Sequence, residues 1–337
     1  HFYAILIISL LMIFTPLHHG WSADSLRGRI MHVEKLPVLW LWLMRFPMSI
    51  VYVYGAFAKM EPDWLTGKAT AGLISKGTEG TFLEPLVNLP GMSMYYAWSG
   101  MLFDLFVPFA MLWKPTRIPM FLAAITFHIH NYYVFPIGVF PPLSLVLTLL
   151  YFNPDFPRKI IPQKIKQRIK NAYFSSLKTS DFQLNYLPNQ VLLSVLGIFI
   201  LVQLILPFRH FLYPGWTLWH EEGHYFAWRM MLRQKKIEIR YDLTHPTTGE
   251  TRYAPLEDYL NTSQIRSFAG NPGMVLQFAH HLQKLVHINT GFIPVVTAEI
   301  NVSLNGRPFE LLVPKNLDLG ELPSFDPAYN WVRNVNP

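Results

Sequence analysis

The chain has 337 residues, of which 51% are apolar and only 15% are charged. This is more apolar surface than one water-soluble core needs, so we expect part of the chain to lie in lipid. The net charge of +7 does not indicate nucleic-acid binding, because the basic residues concentrate in one loop between apolar segments. The absence of cysteine excludes disulfides, thiolate metal sites and cysteine nucleophiles.

Six apolar segments are long enough, or nearly so, to cross a membrane as helices. Backbone polar groups in hydrocarbon must be satisfied within the segment, which requires about twenty mostly apolar residues in a helix. The segments are residues 2–17, 36–57, 94–113, 118–135, 139–152, which is short, and 190–208. The sequence therefore predicts a multi-span helical membrane domain over residues 1–208.

Lysine and arginine concentrate in two connections, residues 24–35 and 153–181. The positive-inside rule places both in the cytoplasm, and the four spans between them are an even number, as that requires. We therefore predict a multi-pass integral membrane protein with a basic cytoplasmic loop at 153–189. The last span then places everything after Phe208 outside the cytoplasm, and Lys59 lies on that same side.

Beyond Pro207 the apolar pattern changes its period. Residues 236–242 and 297–304 alternate apolar and polar side chains with period two, as half-buried strands do. Residues 257–286 are predicted to be mostly helical. The sequence therefore predicts a smaller extracytoplasmic α+β or β-rich domain over residues 209–337.

Lys59 ends the second apolar segment, shortly before Trp64. One interpretation is a lysine whose ammonium reaches the lipid head groups. The other is an amine partly buried among aromatic residues, where desolvation lowers its pKa until it can act as a base. Glu61 and Asp63 are close in sequence and would oppose that shift.

Polar residues also occur near membrane depth. His128 and Asn131 lie near the end of the fourth segment, where polar groups are costly and usually face an interior cavity. Hydrogen bonding between helices is the alternative. His19 follows the first segment, where an interfacial position is favoured. By the span count His19 lies opposite Lys59, unless the first segment is kinked or crosses only half the membrane.

His220-Glu-Glu-Gly-His224 matches the HExxH pattern, which on a helix places two imidazoles on zinc and uses the glutamate as a base. Gly223 weakens such a helix, and no third ligand is evident downstream. We expect no metal, and a zinc-dependent membrane protease is the less favoured alternative. The surrounding aromatic and methionine residues fit either a membrane-interface belt or an apolar slot for a flat ring or an isoprenoid tail.

Four stretches together resemble the vitamin K-dependent γ-carboxylase family, including its bacterial relatives with the horizontally transferred transmembrane domain. They are residues 55–64 (Gly-Ala-Phe-Ala-Lys-Met-Glu-Pro-Asp-Trp), 127–131 with 135–140, 153–159, and 210–231. The likeness runs through most of the chain in the same order. It also implies that this sequence is a fragment lacking family sequence at both ends.

The family is a class of carbon–carbon lyases that couple oxygenation of vitamin K hydroquinone to its epoxide with carboxylation of protein glutamate, using O₂ and CO₂. The resemblance implies that Lys59 is the catalytic base and that His19 acts near the carbanion step. It implies a quinone pocket and a substrate-binding segment as well. The implied quinone-binding residues are His128, Asn131, Trp64, Trp219 and Trp228, and the implied substrate-binding residues are His224, Tyr225 and Met230.

The implied partners are the lipid bilayer, a Glu-containing protein or peptide, and indirectly a quinone reductase.

Two departures from the family are visible. The disulfide of the vertebrate enzymes is impossible here, and residues 220–227 differ from the vertebrate pattern. A quinone epoxidase that does not carboxylate protein is therefore an alternative, and a non-enzymatic lipid or quinone binder is another.

Overall fold

The computed structural model describes residues 2–19, 22–27, 29–30, 36–135, 137–156, 159, 161–165, 167, 189–268 and 270–336. Most of the predicted basic loop 153–189 lies outside the described residues, as does Lys35 of the other basic connection.

The described residues form helices over most of the first 212 positions and a mixture of strands and helices after them. The α-helices are α1 (Phe2–Phe14), α2 (Ala23–Leu26), α3 (Val38–Ala58), α4 (Pro62–Leu65), α5 (Lys68–Thr78), α6 (Glu84–Val87), α7 (Met92–Leu112), α8 (Lys114–Val134), α9 (Phe140–Thr148), α10 (Gln190–Ile205), α11 (Thr217–His220), α12 (Thr262–Phe268), α13 (Pro272–Thr290) and α14 (Ala328–Trp331). Short 3-10 helices cover Leu17–His19, Leu149–Tyr151, Leu206–Leu212 and Leu256–Asp258. The strands are β1 (Lys235–Thr244), β2 (Thr251–Ala254), β3 (Val295–Leu304) and β4 (Glu310–Leu311).

The chain divides into two compact units, of which the first is His1–Phe57 with Gly100–Leu204 and the second is Ala58–Ser99 with Ile205–Pro337. The sequence placed residues 58–99 with the multi-span domain. In the structure, Trp64, Ala69 and Ala97 from this segment belong to the same hydrophobic core as the strands of the C-terminal chain.

Every apolar segment that the sequence predicted as a span contains a helix. In the part of the chain that the structure describes, three helices are long and apolar enough to cross a membrane, namely Val38–Ala58, Met92–Leu112 and Gln190–Leu212. A helix of 21 residues is about 31 Å long at 1.5 Å per residue, close to the thickness of a bilayer's hydrocarbon core. The predicted α-helical membrane domain is confirmed.

The first unit has a core of its own, to which Met48, Tyr52 and Met111 contribute. Arg45 lies inside α3 and is nearly buried. Its Nε donates to the carbonyl of Leu150 at 2.7 Å. The guanidinium therefore supplies donors to carbonyl groups that the end of a helix leaves without an intrahelical partner.

The second unit contains an antiparallel four-stranded sheet in the order β2-β1-β3-β4. β1 and β3 pair along their full length, from Lys235 opposite Leu304 to Thr244 opposite Val295. One face of the sheet packs into the core together with α13, which is buried on one side from Pro272 to Leu282. The Asn305-Gly306 pair turns the chain with positive φ at both residues. The predicted smaller α+β domain is confirmed.

Candidate functional site

Lys59 follows the last residue of α3 and lies just before α4 in the second unit. Its side chain is half-buried, and Nζ lies 5.5 Å from the centre of the Trp64 ring. This distance is within the range of a cation–π contact. The indole of Trp64 is only 6% exposed and donates its N–H to the carbonyl of Ala97 at 2.8 Å. Lys59 therefore lies beside an aromatic face that is held in place.

Glu61 and Asp63, the two carboxylates near Lys59 in sequence, are both paired with arginines. Glu61 forms an ion pair with Arg229. Asp63 is 1% exposed and accepts hydrogen bonds from Arg307 at 2.7 Å and from Asn305 at 3.0 Å. The field of a compensated ion pair falls off faster with distance than that of a single charge. Each carboxylate near Lys59 in sequence is therefore compensated by an arginine of the C-terminal chain.

The segment from Glu221 to Met231 has an unusual backbone. Glu221, Phe226, Trp228 and Met231 have positive φ values of 68°, 63°, 55° and 59°. Residues other than glycine rarely adopt this conformation, which costs about 1 kcal/mol or more at each position. Four such residues within eleven positions indicate that the surrounding contacts fix a specific path for this segment.

The helix that the HExxH interpretation requires does not form. α11 ends at His220, and Glu221 adopts the left-handed conformation. Gly223 also has positive φ, and a Cβ there would lie 2.6 Å from the Cα of His210. The two histidines of the motif are therefore not one helical turn apart on a common helix face, so the geometry that the zinc-protease alternative requires is not formed.

The side chains of the motif have other partners. Glu221 accepts from Arg233 and from Lys235, each at 2.6 Å. Nε2 of His224 lies 3.0 Å from the guanidinium of Arg233, a cation that would repel a metal ion. Within the described ranges no three His, Asp or Glu side chains are grouped to hold a metal. This geometry does not support the zinc-protease alternative.

Glu221, His224, Arg233 and Lys235 form a compact group that we call the Glu221 cluster. One carboxylate faces two cations, so the cluster carries an excess positive charge. Burial lowers the pKa of Lys235, and the carboxylate of Glu221 opposes this effect. Burial, followed by the neighbouring Arg233, lowers the pKa of His224 to about 3. The side chain of Arg233 is 27% exposed, so solutes can reach this cation of the cluster.

His224 should make the second unit sensitive to acid. An unfolded histidine binds a proton near pH 6.5, whereas folded His224 does so only near pH 3. Between these two pH values the unfolded state binds more protons than the folded state. The contribution of neutral His224 to the free energy of unfolding is therefore fully present above pH 6.5 and is lost as the pH falls towards 3. Burial lowers the pKa of His220 too, which adds to the effect. We expect the melting temperature of His224→Gln to fall less than that of the wild type when the pH is lowered from 7 to 5.

The matched control is His281→Gln, which alters an exposed histidine of α13. It should keep the wild-type dependence of melting temperature on pH, as measured by thermal unfolding in a series of buffers. Equal slopes for His224→Gln and the wild type would show that His224 does not resist protonation in the folded protein.

The other residues predicted in the second unit have different environments. Trp219 is buried in the core, and its N–H donates to the carbonyl of Arg333 at 2.8 Å. Trp228 is buried, and its carbonyl accepts from the backbone N–H of Met230. Tyr225 is exposed, and its hydroxyl accepts from Asn271 at 3.3 Å. Their predicted roles in binding quinone or substrate stay predictions.

The remaining predicted residues belong to the first unit. His128 is 2% exposed, and its Nε2 lies 2.8 Å from the hydroxyl of Tyr52. Its Nδ1 is buried and has no hydrogen-bond partner among the described residues. Asn131 is half-buried one turn later in α8. His19 lies in a 3-10 turn, with its ring centre 4.3 Å from that of His18. The roles implied for these residues also stay predictions.

The arginines that pair with the acids near Lys59 carry no signal in the local sequence. Arg229 and Glu61 are 168 positions apart, and Arg307 and Asp63 are 244 positions apart. No local spacing connects such residues. The only sequence signal is that the C-terminal chain carries several cations close to its aromatic residues.

The apolar helices and the sheet-bearing second unit define a membrane protein with a C-terminal domain built around a small antiparallel sheet. Two family models match the chain. The HTTM domain matches residues 1–156, and the lumenal domain of vitamin K-dependent gamma-carboxylase matches residues 188–336. Together the two matches cover most of the chain and support the vitamin K-dependent gamma-carboxylase family. No solved structure matches it.

Proposed function

We propose that this protein oxygenates vitamin K hydroquinone to the epoxide and uses that reaction to carboxylate glutamate in a protein or peptide. The observation that carries the proposal is the half-buried amine of Lys59 beside the face of Trp64, with both neighbouring carboxylates paired to arginines. We further propose that the second unit lies outside the cytoplasm, in the periplasm, the extracellular space or a lumen.

The residues around Lys59 fit a reduced naphthoquinone, because a flat aromatic ring can lie against an indole and a neutral amine can accept a phenolic proton. When bound, the hydroquinone would supply the electrons that reduce O₂: one oxygen atom of O₂ would end in the epoxide and the other in water, and CO₂ would take the place of the γ-proton of glutamate. A side-chain base is too weak to remove that γ-proton directly. Coupling to O₂ therefore explains why a quinol is needed.

In this proposal Lys59 accepts the quinol proton at Nζ and becomes an ammonium. The Trp64 face, 5.5 Å away, stabilises the ammonium that forms. A lipid bilayer that supplies the quinone, and a quinone reductase that restores it, are the partners that this reaction requires.

For the carboxylation step we propose that Arg233 binds the carboxylate of the substrate glutamate. Arg233 is the more exposed of the two cations of the Glu221 cluster, with 27% of its side chain exposed, and cations outnumber carboxylates in this cluster. A hydrogen bond between charged groups contributes about 1.5 to 3 kcal/mol. Neutral His224 leaves this charge balance unchanged above pH 5.

Arg233→Met should therefore raise the KM for a Glu-containing peptide by roughly 10- to 100-fold. Epoxide formation without peptide should change by less than about threefold, because Glu221 keeps its ion pair with Lys235. The measurement is incorporation of labelled CO₂ into the peptide, with epoxide quantified in the same reaction. Arg240→Met, an exposed arginine of β1, is the matched control. An unchanged peptide KM in Arg233→Met would rule out this role.

One observation favours a second candidate, a quinone epoxidase that does not carboxylate protein. Glu221 already accepts hydrogen bonds from both cations of the cluster, so an internal carboxylate occupies the position that a substrate carboxylate would take. The full chain in lipid nanodiscs, supplied with hydroquinone, O₂, labelled CO₂ and peptide, separates the two. Epoxide with labelled peptide supports the carboxylase, whereas epoxide with no label at saturating peptide supports the second candidate.

A further inference from the structure

In the described part of the chain, β1 has a complete partner strand on one side and a partial one on the other. β3 pairs with β1 from Lys235 to Thr244, whereas β2 pairs only with Tyr241–Thr244. Pro255 follows β2 directly, and proline has no N–H with which to continue the ladder. Residues 235–240 of β1 therefore form a strand edge that β2 does not reach.

The turn between β1 and β2 shows which backbone groups face this edge. The N–H of His245 donates to the carbonyl of Glu250, a bond that continues the β1–β2 register. Backbone groups of successive strand residues point in alternate directions, so those of Lys235, Ile237 and Ile239 point to the same side as those of His245. Among the described residues, no backbone–backbone hydrogen bond outside the ladders uses these three residues. An edge of this kind is a template for pairing with another chain.

The side chains on the core face of this edge change from apolar to charged. Ile237 and Ile239 are half-buried and pack against the core of the second unit. Lys235 lies on the same face of the strand, because side chains alternate with period two, and it pairs with Glu221. Arg233 comes two residues earlier and belongs to the same Glu221 cluster. The edge therefore runs from two apolar side chains to an end at which cations outnumber carboxylates.

We propose that the Glu-containing peptide binds to this edge as an additional antiparallel strand, with its glutamate opposite Lys235 and within reach of Arg233. This inference rests on the proposed function, which requires such a peptide, and adds how the peptide is held. Main-chain hydrogen bonds to Ile237 and Ile239 supply affinity for any peptide sequence, and the side chains along the edge supply selectivity. The excess of cations at the end of the edge selects a peptide that carries a carboxylate there.

Antiparallel pairing determines which peptide residues meet which residues of β1. With glutamate opposite Lys235, the peptide residues two and four positions before it lie opposite Ile237 and Ile239 on the core face. The N–H groups of these two peptide residues point towards β1, whereas those one and three positions before the glutamate point away. The site should therefore prefer apolar residues at the second and fourth positions before the glutamate.

Fluorescent peptides that carry one backbone N-methyl group test this pairing without a change in the protein. The full chain in lipid nanodiscs is titrated against each peptide by fluorescence anisotropy, with no hydroquinone or CO₂ present. N-methylation two positions before the glutamate should weaken binding at least about tenfold, because it removes a hydrogen bond and places a methyl group against β1. N-methylation one position before the glutamate should weaken it by less than about threefold.

A substitution in β1 tests the same contact from the side of the protein. Ile239→Pro removes an N–H that faces the open edge and leaves the hydrogen bonds between β1 and β3 in place. Ile239→Val keeps this N–H and is the matched control. We expect peptide binding to weaken at least about tenfold in Ile239→Pro and to stay near the wild-type value in Ile239→Val. Should Ile239→Pro fail to fold, the N-methylated peptides still decide.

Binding and carboxylation are measured separately, so the two proposals can fail separately. Binding that depends on the position of the N-methyl group, with no labelled CO₂ in the peptide, would support the strand edge and contradict the carboxylase. Labelled peptide with equal affinity for the two N-methylated forms would support the carboxylase and overturn the strand edge. Absence of peptide binding, or a dimer through this edge that the peptide does not dissociate, would also overturn it.

Discussion

Lys59→Ala should reduce the rate of hydroquinone oxygenation at least about a hundredfold, which is the low end of what a general base contributes. Carboxylation of a peptide should fall by the same factor, because the coupled reaction has no other source of a strong base. The expected loss is large because Lys59 is the amine that the second unit holds beside the buried Trp64. The measurement is epoxide formation by the full chain in nanodiscs at saturating hydroquinone.

Lys59→Arg distinguishes between two roles of Lys59, that of a base and that of a permanent positive charge. Arginine keeps a positive charge and a long side chain, but it stays protonated at every accessible pH and cannot accept a proton. If Lys59 acts as a base, this variant should be as inactive as Lys59→Ala. If Lys59 only supplies positive charge or anchors the chain at the lipid head groups, the variant should keep most of the activity.

The control for both variants is Lys68→Ala, which removes an exposed lysine of α5 in the same unit. It should keep wild-type epoxide formation. Wild-type activity in Lys59→Ala would end the proposed mechanism. A normal melting temperature for each inactive variant shows that activity, and not folding, was lost.

The fold was predictable because its determinants are local or periodic. Apolar segments of about twenty residues specify helices in lipid, and α3, α7 and α10 occur where the composition places them. The period-two patterns at 236–242 and 297–304 specified β1 and β3, which pair directly with each other. Helical and strand periodicities depend on neighbouring residues alone, so one sequence suffices to detect them.

The environment of the site was less predictable because it depends on distant contacts. The cations that pair with Glu61 and Asp63 come from the C-terminal chain, and nothing in local spacing connects them. Whether the HExxH alternative held could not be decided from the sequence for a related reason. The residue pattern from His220 to His224 is compatible with a helix. In the structure Glu221 pairs with Arg233 and Lys235 and adopts a left-handed conformation, and the helix ends at His220.

Asp63→Asn should lower the stability of the second unit by about 3 kcal/mol. The carboxylate is 1% exposed and pairs with Arg307, so the substitution leaves an arginine without its counter-charge. We expect the low end of the usual range for a broken buried pair, because the side chain of Arg307 is 20% exposed and keeps its contact with the Trp216 ring. The melting temperature should fall by roughly 6 to 12 °C.

A double-mutant cycle tests whether this loss comes from the ion pair itself. Arg307→Met leaves Asp63 buried with Asn305 as its described partner and should also be strongly destabilising. Combining it with Asp63→Asn removes both charges, so the double variant should be more stable than the sum of the two single losses predicts, by about 2 kcal/mol. Additive losses would mean that the two residues act independently.

The exposed pair of Glu250 and Arg252 provides the comparison for this cycle. Both side chains are more than half exposed, and exposed ion pairs contribute at most about 1 kcal/mol. Glu250→Gln should therefore leave the melting temperature nearly unchanged in the same assay. A loss for Glu250→Gln as large as that for Asp63→Asn would show that the assay reports net charge. If only Asp63→Asn lowers the melting temperature, the buried pair of Asp63 and Arg307 stabilises the part of the second unit that carries Lys59 and Trp64.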